Sequence, residues 1–376
     1  MLGDTMKKII LLLIILSLLI TAGCNKVNDE NPYVTKAEEI LSSMTLSEKV
    51  WQLFITTPED LTGVSRVVAA GEASKKAIEK YPVGGLIYFD YNLKDEKQTK
   101  EMLSNIQSYS KIPLFTGVDE EGGRVSRVGA NEKMKVTLHP PMAEVKDKKT
   151  AYKIGKTLGK ELSALGFNLD FAPVADIIVN EKNSEIGNRS FGSDPEEAGK
   201  LAAKVVKGLK AKNMCSVLKH FPGHGSTYTD SHKGYSESTR TLKQLRENEF
   251  IPFKMGIEEG ADFVLLSHMT LINSEEKVPS SISKSICDIL KNELGFKGII
   301  ITDSFKMGAI SDNYSPEAAA VEAIKAGVDI ILMPENLVKA HEGIINAVKS
   351  GEITEERINE SVLKILDKKV EKKIIK

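Results

Sequence analysis

Ile299-Ile300-Ile301-Thr302-Asp303 places an apolar, β-branched run directly before a carboxylate. Residues of this kind favour an extended strand. No polar residue alternates among the isoleucines, so the strand reads as buried on both faces, the pattern of a parallel sheet covered by helices. An Asp so close behind it is costly to bury unless it is used or paired. Outward from this stretch, seven more runs have the same character: Gln52–Thr56, Gly84–Phe89, Leu114–Asp119, Leu169–Ala172, Ser216–His220, Phe263–Ser267 and Ile330–Met333. Helical patterns separate them. Asp194-Pro195 opens an amphipathic helix to Lys212, and Ser315-Pro316 opens another that Gly327 stops. Asn336–Lys376 reads as closing helices of the same unit. Alternating β/α units in this number predict an α/β fold, a (β/α)8 TIM-type barrel in a single domain over residues 36–376. A doubly wound open sheet is the alternative, but no Gly-x-Gly-x-x-Gly turn follows a strand to favour it.

Composition permits this fold. Of 376 residues, 41% are hydrophobic and 27% charged, enough to bury a core. The formal net charge of −1 offers no basic field for nucleic acid. Only seven of the 51 basic residues are Arg, which draws notice to the places where the planar guanidinium fork is used instead of Lys. Cys215 and Cys287 sit in apolar surroundings and read as two buried free thiols.

The N-terminus carries a targeting signal. Lys7 and Lys8 precede an apolar run from Ile9 to Ile20, too short to span a bilayer comfortably. Thr21-Ala22-Gly23-Cys24 follows and resembles the bacterial lipobox, with Thr where Leu is usual. Residues 1–23 are therefore expected to be a signal peptide, Cys24 the lipidated first residue, and residues 24–35 a tether. The alternative is a plain cleaved signal. The expected location is extracytoplasmic, held at the membrane by the lipid alone, and nothing demands more than a monomer.

In a barrel of this kind chemistry gathers at the C-terminal ends of the strands. The unusual polar residues fall there. Asp119 opens Asp119-Glu120-Glu121-Gly122-Gly123-Arg124-Val125-Ser126-Arg127. Lys219-His220 opens Lys219-His220-Phe221-Pro222-Gly223-His224-Gly225, the start of a loop running to about Arg240. A βα connection this long is often functional. It contains Asp230-Ser231-His232, in which Asp230 can curl back to accept the ring Nδ1 proton and leave Nε2 for proton transfer.

The Lys219–Gly225 block followed by Asp230-Ser231-His232 resembles the signature of glycoside hydrolase family 3 β-N-acetylglucosaminidases. Asp119 through Arg127, Asn188-Arg189-Ser190-Phe191 and Thr302-Asp303-Ser304 match further blocks of that family in the same order, and the resemblance runs from about Met44 to Pro334. It implies that Asp303 is the nucleophile, His232 the general acid/base and Asp230 its partner. It also implies that Asp119, Arg127, Arg189, Lys219 and His220 bind the sugar. The expected reaction is removal of terminal N-acetylglucosamine from wall-derived oligosaccharides or muropeptides with retention of configuration, without cofactor or metal. The chemistry is coherent without the family: a retaining glycosidase needs a nucleophile on one face of the anomeric carbon and an acid/base on the other. A His in the second role tolerates an anionic acceptor, so phosphorolysis stays in view.

Rival readings attach to the same residues. Asp303 would serve as a helix N-cap. Lys219 and His220 would be paired core residues, and Asp230 and His232 solvated loop. His220, His224 and His232 would ligate a metal, although no fitting carboxylates accompany them. A β-glucosidase-type relative or a non-catalytic sugar-binding lipoprotein would keep the fold with another role. His268 is balanced between lining a pocket and a buried hydrogen-bonded place, and Trp51 reads as packing.

Overall fold

The computed structural model describes residues 35–227 and 236–376. Twelve strands form among them: β1 (Phe54–Thr56), β2 (Gly85–Tyr88), β3 (Phe115–Val118), β4 (Glu120–Gly122), β5 (Val125–Ser126), β6 (Leu169–Asp170), β7 (Cys215–Phe221), β8 (Ser236–Ser238), β9 (Phe263–Leu266), β10 (Met269–Leu271), β11 (Ile299–Thr302) and β12 (Ile331–Leu332). Eight of them make one parallel sheet in the order β11-β9-β7-β6-β3-β2-β1-β12. A parallel bridge between Ile301 and Ile330 brings its two ends together, so the sheet closes into a barrel. Closure rejects the open doubly wound sheet. Each of the eight barrel strands coincides with one of the apolar runs, and every residue of them is buried. That uniform burial follows from a core inside the barrel and a helical layer outside it.

The helices start and stop where local chemistry directs. Asp194 caps helix Pro195–Lys210 by accepting from the Glu197 N–H. Ser315 caps Pro316–Ala326, and Gly327 ends it at φ 111°, a left-handed conformation that glycine adopts without strain. Leu337–Ser350 and Glu355–Glu371 complete the helical layer, and Lys36–Ser42 packs on the latter. Trp51 stacks on His341, with ring centroids 3.8 Å apart, and serves packing. Cys215 and Cys287 are buried free thiols.

Near the starts of the barrel strands lies an unusual buried group. Lys369, on Glu355–Glu371, is wholly buried, donates to Gln52 Oε1 at 2.9 Å and lies 5.1 Å from the centroid of the Phe115 ring. Burial, with no counter-ion among the described residues, pushes its ammonium down to about 7.

Two small additions sit at the opposite end of the barrel. β4 and β5 form an antiparallel hairpin just beyond β3. β8 pairs in parallel with β10, so the long connection after β7 returns to the body as a strand at Ser236. Arg240, just beyond, is clamped by Glu249 through two 2.7 Å hydrogen bonds.

Candidate active site

Four barrel strands deliver the site. Asp119 follows β3, Lys219 and His220 lie at the end of β7, and Asp303 follows β11. Arg189 arrives from a 3-10 turn, Gly187–Arg189, in the connection after β6. Together with Glu121, Arg124, Arg127, Lys306 and Met307 they line a cavity of about 580 Å³, floored by Ile87, Phe171, Leu265 and Leu332. An apolar floor with convergent polar walls suits a ligand that has both a ring and hydroxyls.

The polar wall is a network of charges. The Lys219 ammonium donates to Asp119 Oδ1 at 2.7 Å and meets Glu121 Oε1 at 2.6 Å. Arg189 holds the same Glu121 carboxylate with Nε and Nη2, both at 2.8 Å. Burial alone would raise the Glu121 carboxyl, but Lys219 and Arg189 outweigh it and hold it far below the usual range. Lys219 is likewise kept cationic, its buried ammonium held up by Asp119 and Glu121. Such paired charges keep a fixed geometry in a desolvated place. Asp119 remains partly exposed to the cavity, with acceptor capacity to spare.

His220 is oriented from behind. Buried Asp176 accepts from the His220 backbone N–H at 3.0 Å and from the His224 N–H at 2.6 Å, and its Oδ2 lies 2.7 Å from His220 Nδ1. With the Nδ1 proton directed at Asp176, Nε2 is left as an acceptor and lies 3.4 Å from Arg189 Nη2. Gly225 allows the next turn to lie against Ile177: a Cβ there would stand 1.8 Å from the Ile177 carbonyl oxygen.

Asp303 is held by its backbone, whose N–H donates to the Leu266 carbonyl at 2.8 Å. Its Oδ1 accepts from the Ser304 N–H at 2.7 Å. Burial pushes the carboxyl up, but His268, His220, the Ser304 N–H and Lys219 bring it below its ordinary value, so it is a carboxylate at neutral pH. It caps no helix, since the next one, Gly308–Ser311, begins beyond Met307. Thr302 offers no cap either, because its hydroxyl accepts from the Leu332 N–H. A half-buried carboxylate lining a cavity, with one local hydrogen bond among the described residues, is available as a nucleophile.

Arg127 runs along the wall with its guanidinium 5.9 Å from the Phe89 ring centroid and its Nε buried without a hydrogen-bond partner among the described residues. Arg124 is different: it donates to the Ser184 and Glu185 carbonyls and ties the hairpin to the loop that carries Arg189. His268 takes the buried place, between the Ser281 hydroxyl and the Ser304 carbonyl, both at 2.8 Å. Of the histidines read as possible metal ligands, His220 turns to Asp176 and His224 to Thr227. Asp230 and His232 lie outside the described residues, as does Cys24.

The structure thus brings Asp119, Arg127, Arg189, Lys219, His220 and Asp303 to one cavity. It adds two residues that sequence reasoning did not single out. Glu121 stood inside the Asp119–Arg127 block, in a row of three acids at a strand end. Asp176 follows the apolar run Phe171–Ala175, the same signal that picked out Asp303.

The chain matches the model of the glycosyl hydrolase family 3 N terminal domain over residues 45–367. Beta-hexosaminidase A of Pseudoalteromonas piscicida is 31% identical over 318 residues, which are 77% of this chain and 53% of that protein. A beta-hexosaminidase of Nitrosomonas eutropha is 33% identical over 260 residues, 67% of this chain and 73% of that protein. Among solved structures, a glycoside hydrolase family 3 beta-N-acetylglucosaminidase from Paenibacillus sp. str. FPU-7 superposes with a TM-score of 0.82 at 33% identity, covering 88% of this chain and 63% of that one. The chain therefore spans about half the length of the first of these relatives.

Proposed function

The chain belongs to glycosyl hydrolase family 3, and on that footing we propose that it is a retaining exo-β-N-acetylglucosaminidase. The observation that carries this reading is a half-buried Asp303 facing the charge-fixed wall of Asp119, Arg189, Lys219 and His220 across one cavity. The names of the similar proteins, beta-hexosaminidases, support N-acetylhexosamine as the terminal sugar.

In the first step an Asp303 carboxylate oxygen attacks the anomeric carbon. The bond to the leaving oxygen breaks, and His232 gives that oxygen its proton. In the second step His232, oriented by Asp230, takes a proton from water, which displaces Asp303 and frees the sugar. Asp119, Arg189, Lys219 and His220 hold the hydroxyls of the terminal sugar. Because the wall is already paired before substrate arrives, little reorganisation is needed in the transition state. The substrates that fit are wall-derived oligosaccharides or muropeptides ending in N-acetylglucosamine. The N-terminal segment fits a protein lipidated at Cys24 and tethered outside the cytoplasm. No helix among the described residues is long and apolar enough to cross a membrane.

The test is nitrophenol release from 4-nitrophenyl N-acetyl-β-glucosaminide by residues 25–376 and by Asp303→Ala, each with and without phosphate. Activity abolished in the variant supports the reading. Turnover of the β-glucoside alone would overturn the sugar assignment, and a strict requirement for phosphate would replace hydrolysis with phosphorolysis.

A further inference from the structure

Outside the cavity, the turn after β2 carries a feature that the reaction above does not use. Asp90–Asn92 is a single 3-10 turn, and Tyr91 at its centre is 39% exposed. The large exposed hydrophobic residues among those described are Val64, Tyr91, Leu138 and Val179, of which Tyr91 alone is aromatic. Single exposed hydrophobic residues need no explanation in themselves. Tyr91 differs in how it is held. Its ring lies on the Phe89 ring at 5.7 Å between centroids and 8° between planes. Phe89 in turn lines the cavity, and Arg127 lies near its ring.

The turn is pinned on several sides. Buried Asn92 accepts from the Phe89 N–H at 2.9 Å and donates to Glu59 Oε1 and the Val67 carbonyl at 2.7 and 2.8 Å. Arg66 Nε donates to the Tyr91 carbonyl at 2.8 Å. A rigid aromatic plane loses little conformational entropy when a ligand settles on it. Lys306 lines the cavity and is paired with Asp60 at 2.6 Å, and burial, with the Glu59 and Asp60 carboxylates, pushes the Tyr91 phenol up to about 12.

A pyranose ring has an apolar face of C–H groups and a polar edge of hydroxyls. A fixed aromatic plane matches the first, and the Lys306–Asp60 pair at the cavity lining offers polar groups to the second. We propose that Tyr91 is the platform of a second sugar site, outside the cavity for the terminal sugar, on which a pyranose ring further along the substrate stacks. The proposal rests on the glycosidase reading. It makes the preferred substrate an oligosaccharide, with affinity added by a ring that does not react.

The test compares wild type, Tyr91→Ala and Tyr91→Trp on a β-1,4-linked N-acetylglucosamine tetramer and on methyl N-acetyl-β-glucosaminide, whose leaving group has no ring. For Tyr91→Ala the tetramer kcat/KM should fall by about 3- to 10-fold, through KM, relative to the methyl glycoside. Tyr91→Trp should restore the ratio. A ratio unchanged in Tyr91→Ala overturns the platform, and so does a Trp variant as weak as the Ala variant. If the wild type cleaves β-glucosides in place of either substrate, the glycosidase reading loses its sugar. The same ratio measured on cellotetraose and methyl β-glucoside then decides the platform by the same two outcomes.

Discussion

Asp176 and Asp303 are two carboxylates that each follow a buried apolar run, and their surroundings give them different work. Asp176 spends its oxygens on the His220 and His224 backbone and on the His220 ring, so it positions. Among the described residues the Asp303 carboxylate has a single local hydrogen bond, and it faces the cavity. Asp176→Asn should therefore lower kcat/KM by about 10- to 100-fold, the cost of an unmatched buried hydrogen bond, without abolishing turnover. Asp176→Glu should recover part of the loss, which steady-state kinetics on the nitrophenyl substrate would show. Arg189→Lys keeps the charge but loses the two-point grip on Glu121, so KM should rise more than kcat falls. The pH profile follows from the proposed roles. Asp303 works ionised, and since its folded pKa is lowered, the acid limb it sets lies below the ordinary Asp value of about 3.9. His232 must be protonated to assist departure, so kcat/KM should fall on the alkaline side of its pH profile. That basic limb should vanish in His232→Ala assayed with a good leaving group. The site was legible where residue type and place coincide, as at Asp119, Lys219, His220 and Asp303. Asp176 was not, because a carboxylate behind an apolar run looks alike in sequence whether it attacks a substrate or holds a neighbour.

At the scale of elements, the barrel strands were legible because burial on both faces leaves no polar residue to blur them. β4, β5, β8 and β10 were not, because they lie in the connections between barrel units and are defined by the strand each one pairs with. β8 and β10 matter most, because they return the long connection after β7 to the barrel. Its entry is equally constrained. Asn183 Nδ2 donates to the His224 carbonyl at 2.9 Å, and Gly225 lies against Ile177. Gly225→Ala should push the two backbones apart, costing about 1–3 kcal/mol in urea unfolding and most of the activity. An unfolding midpoint equal to that of the wild type would show that the contact gives way freely.

Across the whole molecule, the two ends of the barrel divide stability from chemistry. Lys369 near the starts of the strands has no counter-ion among the described residues, and burial brings its pKa to about 7, below the unfolded value of about 10.4. Between these values the unfolded chain binds more protons than the folded one, so this residue makes stability rise with pH. Relative to Lys369→Met, the wild type should gain on the order of 2 kcal/mol from pH 7 to pH 9 in urea unfolding. A difference that does not change with pH would mean the ammonium stays charged in the fold. At the other end, the chemistry proposed for the cavity depends on one bond forming at Asp303. The direct measurement is intact and peptide mass spectrometry of His232→Ala quenched during turnover of 2,4-dinitrophenyl N-acetyl-β-glucosaminide. A good leaving group should let the first step proceed while loss of the base slows the second. The expected result is one N-acetylhexosamine residue attached to the peptide containing Asp303. An adduct on another residue, or free enzyme throughout a burst of dinitrophenol, would contradict the assignment of Asp303 as nucleophile.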